Sequence, residues 1–188
     1  MTATARFSDD VHANVLYRMW WAIALKGLLF GAFAFLVYFW QARSLPGVIM
    51  LFAAFGLADG LVSILGAVRG GGMSARAGLA AAGVVSIIAA GLALWPGLSW
   101  QSLATVVGLW AAVRGAFEFV SAFTLRRYME RDWSLSLIGA FSFIFGVALA
   151  LRSGMDPWNF VRLLATYTLV IGVLWLLLAR RFRRGLRP

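Results

Sequence analysis

Lys26, Asp59, Arg114 and Glu118 are the residues of this chain best placed to do chemistry, because each interrupts a long run of apolar residues. A charged side chain at the centre of a membrane helix costs roughly 2.5–3.5 kcal/mol on insertion scales, so such groups turn toward protein or trapped water and pair with one another. Arg114 and Glu118 are four residues apart and share a helix face. Lys26 and Asp59 fall on two consecutive antiparallel helices. Counted at about 1.5 Å per residue from the arginine-bearing ends, all four lie roughly 12–18 Å deep, in one layer whose charges sum to zero. Two chemistries follow. The layer is either a pair of ion pairs that fixes helix register, or a proton or ion site in which Asp59 or Glu118, deprived of its cation, exchanges protons.

Other chemistry finds little to work with. The single histidine, His12, lies in a polar N-terminal lead, and cysteine is absent, which leaves no thiolate site, no disulfide and no histidine-based metal site inside the membrane. Gly70-Gly71-Gly72 lacks the Lys-Ser/Thr of a phosphate loop and reads as a turn. Ser63, Ser86, Ser121 and Ser142 sit in apolar runs without an adjacent base, so they read as helix-packing serines rather than nucleophiles. The expectation is a protein that is not an enzyme and binds no cofactor or metal.

The elements that must carry the four charges are six apolar stretches: Met19–Phe39, Pro46–Val68, Ala77–Trp95, Ser102–Leu125, Leu135–Leu151 and Phe160–Ala179. About 20 apolar residues cross the hydrocarbon as a helix, and a helix satisfies every backbone hydrogen bond internally. A barrel would need alternating apolar and polar residues instead. Hydrophobic residues make up 62% of the chain and charged ones 13%, with a mean hydropathy of +0.86, so the whole chain reads as one membrane domain. It divides into a lead over 1–18, hairpins over 18–69, 75–127 and 133–181, and a basic tail over 180–188.

The net charge of +10 follows topology rather than a nucleic-acid partner. Twelve arginines fall on the side holding both termini and the second and fourth connections; Arg43, Arg152 and Arg162 fall on the other. Positive residues in short loops stay cytoplasmic, which places both termini inside the cell. The Arg180-Arg181-Phe182-Arg183-Arg184 run reads as an anchor that touches anionic lipid. Trp20, Trp21, Trp40, Trp95, Trp100, Trp133 and Trp158 lie near span ends, as an aromatic belt requires. Trp110 and Trp175 are deep.

Self-comparison shows a repeat. Gly27, Gly83 and Gly139 recur at a spacing of 56 in the first helix of each hairpin, and Gly60, Gly115 and Gly172 recur in the second. Each second-helix glycine has an aromatic five residues earlier (Phe55, Trp110, Tyr167) and an alanine seven residues later (Ala67, Ala122, Ala179). The pattern predicts an all-α integral membrane protein of six transmembrane helices, as three tandem hairpins with a pseudo-threefold relation about the membrane normal. In lipid, close helix packing depends on small residues; Gly27 and Gly31 form one such ridge, and Ala82, Ser86 and Ala90 another. The same ridges allow a homo-oligomer or a membrane-protein partner.

This arrangement resembles the HdeD-like acid-resistance membrane proteins, small six-span proteins built from short tandem repeats. The resemblance is carried by the central glycine of each first helix, the Trp95-Pro96 exit, and the glycine followed by alanine in each second helix, over roughly Arg18 to Arg181. Trp-Pro stands only in the second repeat; Phe39-Trp40 and Leu151-Arg152 occupy the matching places in the others. The resemblance implies an inner-membrane protein associated with acid tolerance, with no catalytic residues to carry over. Two alternatives remain: a small proton or solute transporter using the four intramembrane charges, and an oligomeric membrane scaffold.

Overall fold

The computed structural model describes residues 20–39, 44–69, 73–125, 134–152 and 154–184. Residues 1–19 with His12, 40–43 with Trp40 and Arg43, 70–72, 126–133 with Trp133, 153 and 185–188 lie outside the described residues. Six helices account for nearly all of the rest: α1 Trp20–Phe39, α2 Leu45–Arg69, α3 Met73–Ala93, α4 Trp100–Leu125, α5 Ser134–Leu151 and α6 Pro157–Arg184. No strand occurs among the described residues.

Local signals set the helix ends at one face of the bundle. Beyond α3, Trp95-Pro96-Gly97 turns the chain, with Gly97 at a φ of 80° that favours glycine. The Ser99 carbonyl and hydroxyl then accept from the Leu103 and Ser102 amides at 3.0 and 3.1 Å, capping α4. Asp156 does the same for α6: its carboxylate accepts from the Trp158 amide at 3.0 Å, with Pro157 as the first helical residue. α6 consequently starts earlier than its apolar run, and it continues through the arginines to Arg184.

Four segments, Trp20–Phe39, Leu45–Val68, Trp100–Ala122 and Pro157–Arg181, are long and apolar enough to cross a membrane. The apolar parts of α3 and α5, Ala77–Ala93 and Leu135–Leu151, are shorter, at about 25 Å each. Large apolar side chains face outward all round the bundle, among them Leu28, Phe35, Leu61, Ile144 and Leu151. That surface suits lipid and would aggregate in water. The apolar helices make this a membrane protein.

The helices pack as a closed ring in chain order, with α6 returning to α1, and neighbouring helices are antiparallel. The most extensive contacts are α2 with α3, α4 with α5 and α1 with α6, whereas the two helices of each sequence hairpin (α1–α2, α3–α4, α5–α6) touch less. Glycine pairs explain the difference. Gly60 faces Gly83, Gly115 faces Gly139 and Gly172 faces Gly27; a Cβ on any of the six would stand 2.7–3.0 Å from its partner's carbonyl oxygen. Backbones this close leave no room for a side chain, and dispersion over the whole contact replaces the hydrophobic effect that lipid does not supply. Gly31 differs from the six. A Cβ there would meet nothing within 4 Å, and only its backbone nitrogen approaches Gly172. The ridge on α3 that meets α2 is built from Gly83, Ile87 and Ala90, with the Ser86 carbonyl beside Gly56.

Candidate functional site, an intramembrane ion network

Inside the ring, Lys26, Asp59, Arg114 and Glu118 form one connected network rather than two separate pairs. Asp59 is its centre. One carboxylate oxygen lies 2.5 Å from Arg114 Nη1 and the other 3.7 Å from Lys26 Nζ. Arg114 Nε donates to Glu118 Oε1 at 2.9 Å, the geometry that a four-residue helical spacing allows. All four side chains are buried, Asp59 completely. The charges cancel, so the group as a whole avoids the cost of burying a net charge, although each member was removed from water to make it.

Aromatic side chains complete the coordination. The Arg114 guanidinium lies 4.7 Å from the Phe30 ring centroid and 5.4 Å from that of Trp110. Lys26 Nζ stands 5.3 Å from the Trp175 ring. Desolvated cation–π contacts of this kind are worth about 2 kcal/mol. Trp110 Nε1 donates to Ser86 Oγ at 3.0 Å, and Ser86 donates on to the Arg114-paired oxygen of Asp59 at 2.8 Å. The relay ties α2, α3 and α4 to one carboxylate. Ser63 bonds back to the Asp59 carbonyl of its own helix at 2.7 Å.

The repeat register accounts for the placement of these groups. Counted from the paired glycines, Asp59, Arg114 and Ile171 are equivalent; so are Ser63, Glu118 and Trp175, and so are Lys26, Ala82 and Ile138. Phe30, Ser86 and Ser142 match, and so do Phe55, Trp110 and Tyr167. Where the aromatic carries a donor, as Trp110 does, a serine receives it. Where it carries none, as in Phe55, another ring replaces the serine, and Phe30 meets Phe55 edge-on at 4.8 Å. The third copy supplies buried Ile138 and Ile171 to the layer, and contributes Trp175 at the edge of the network through its contact with Lys26.

Toward the 94–99 connection the buried side chains are apolar except for Thr168, whose hydroxyl donates to the Leu164 carbonyl of its own helix at 2.8 Å. Phe33 stacks on Phe55 at 4.4 Å and Phe52 meets Trp110 edge-on at 5.5 Å. Beyond these rings Val37, Val48, Leu103, Val107, Phe160 and Leu164 are buried against one another. The network therefore lies in the half of the bundle nearer the termini, under an aromatic and aliphatic plug. Several of its polar atoms keep unused capacity. Asp59 Oδ1, Arg114 Nη2, Glu118 Oε2 and Trp175 Nε1 are buried without a hydrogen-bond partner among the described residues. No cluster of three metal-ligating side chains occurs among them either.

Charged residues within apolar runs point to this network from sequence alone, but the aromatic shell does not stand out, since Trp and Tyr in an apolar helix read equally as core. The signal that could have found it is the matched column of Phe55, Trp110 and Tyr167 against Phe30, Ser86 and Ser142.

A protein-family model described as a short repeat of unknown function (DUF308) matches residues 81–151, from the third helix through the fifth. No curated protein and no solved structure matches the chain. The segment similar to the DUF308 repeat carries the Trp95-Pro96 turn, Arg114, Glu118 and three of the six paired glycines, Gly83, Gly115 and Gly139.

Proposed function

We propose that the chain is a six-span inner-membrane protein without catalytic activity that supports tolerance of acid, as the resemblance to the HdeD-like proteins implies. In this reading all six helices cross the bilayer as three tandem hairpins related by a pseudo-threefold axis along the membrane normal, with both termini in the cytoplasm. The observation that carries it is the ion network: it is neutral, shared around one carboxylate and covered by an apolar plug. Such a device locks three helices together, and among the described residues the side chains above it are nearly all apolar. The three reciprocal glycine pairs support the threefold relation.

Acid survival of cells lacking the protein is the direct test, with the wild-type chain and a charge-layer variant restored in turn. Survival equal to that of the parent strain would remove the acid-tolerance reading. The topology is tested separately. A reporter active only in the cytoplasm should work after Arg187 and at Gly71, and fail at Gly97.

A second reading, a proton path through the layer, is favoured by one observation: the carboxylate oxygens Asp59 Oδ1 and Glu118 Oε2, which are buried and accept no hydrogen bond among the described residues. Proton flux into reconstituted vesicles separates the two. The locked network predicts leakage no greater than in protein-free vesicles.

A further inference from the structure

Two of the three arginines on the face opposite the termini, Arg152 and Arg162, line the same cavity of about 590 Å³ at the α5–α6 turn. Among the described residues neither guanidinium has a carboxylate within 4 Å. Asp156, the one acid in the cavity wall, has its carboxylate engaged with the Trp158 and Asn159 amides at the start of α6. The wall thus carries two cations and one anion, with Asn159 and Thr166 as neutral hydrogen-bonding groups. Both arginines are exposed, so the wall offers one net positive charge to an anion from outside the chain.

Depth and surroundings identify what brings it. Arg162 is five residues into α6, about 7.5 Å below its start, and exposed Trp158 lies 6.4 Å from Tyr38 near the same end. Aromatic belts of this kind mark the headgroup region. Below the arginines, α5 and α6 form the most thinly packed neighbouring pair in the ring. Leu163, Thr166 and Val170 follow one another on one strip of α6, and exposed Phe141 lies on α5 beside Tyr167. A polar, cationic cavity at headgroup depth therefore opens onto an apolar seam.

We propose that this cavity binds one anionic phospholipid of the leaflet opposite the termini, its phosphodiester on Arg152 and Arg162 and its acyl chain along the α5–α6 seam. Guanidinium groups suit phosphate oxygens because they present paired donors in a fixed plane. The lipid would close the one weak seam in the ring from outside. The proposal rests on the six-span reading only for the placement of α5 in the bilayer. A failure of that reading would show in the topology reporters, not in lipid binding.

The test is native mass spectrometry of the purified protein, with phosphatidylglycerol, phosphatidylcholine or inorganic phosphate added. The wild type should retain one phosphatidylglycerol molecule that Arg152→Gln with Arg162→Gln releases, an affinity loss of about thirtyfold for two interfacial charges. Arg152→Lys with Arg162→Lys should keep most of it. Arg180→Gln with Arg183→Gln, at the opposite end of α6, should leave that molecule bound. Equal retention by the double glutamine variant, equal retention of phosphatidylcholine, or displacement by millimolar inorganic phosphate would each overturn the lipid site, the last in favour of a free-anion site.

Discussion

At the scale of single residues, Asp59 is the member of the network least able to be lost, because it pairs with two cations and accepts from Ser86. Asp59→Asn leaves a net positive charge in an apolar layer, and removing one partner of a buried pair costs about 3–5 kcal/mol. Lys26→Met combined with Asp59→Leu removes one charge of each sign and leaves the 2.9 Å Arg114–Glu118 pair intact. Thermal unfolding in detergent should therefore show the single variant well below the double. The opposite ranking would mean that the network contributes no stability. Ser86→Ala deprives Trp110 of its acceptor and Asp59 of a donor, and should cost about 1–3 kcal/mol by the same measurement. The four charges were legible in the sequence because polar groups contrast with apolar runs. Their sharing around Asp59 was not, since it depends on the ring bringing α2 and α4 to the same point, 55 residues apart in sequence.

At the scale of helices, the glycines divide into those that meet a backbone and those that do not. Gly115→Val would drive a side chain into the α5 backbone around Gly139 and Phe143, and overpacking of that kind costs about 1–3 kcal/mol or more. Gly31→Ala adds a methyl where nothing lies within 4 Å, and should change the unfolding temperature little or raise it. A destabilising Gly31→Ala would show that a further surface covers α1. Sequence spacing alone could not distinguish Gly31 from Gly27, because both fall on a GxxxG ridge and only the rotation of α1 against α6 decides which of them is covered. The apolar runs located all six helices to within a few residues, most closely Met19–Phe39 against an α1 of Trp20–Phe39 and Leu135–Leu151 against an α5 of Ser134–Leu151. They undercounted α6, since hydropathy reports the lipid-embedded part of a helix and not its capped or charged ends.

At the scale of the whole molecule, the ring is closed by its first and last helices, through a glycine contact equivalent to the other two. A chain joined from Arg184 to Trp20 by a flexible linker and opened within residues 70–72 keeps every contact among the described helices. Such a permutant should insert and unfold within a few degrees of the parent, while one that aggregates would show that the repeats are not interchangeable. The tandem repeat was visible in the spacing of Gly27, Gly83 and Gly139, but the partner of each glycine was not, because spacing marks which residues are equivalent and not which faces the helices turn toward one another. The α1–α6 contact also sets an order of assembly. Of the six helices α1 is made before the others, with its glycine face bare, and its extensive partner α6 is made after them. Until then the chain is an open arc with an uncovered edge at each end, a form that quality-control proteases can distinguish from the finished protein. A chain stopped after Arg152 should remain in that form and be degraded, so that the ring's own closure reports that all six helices are in place.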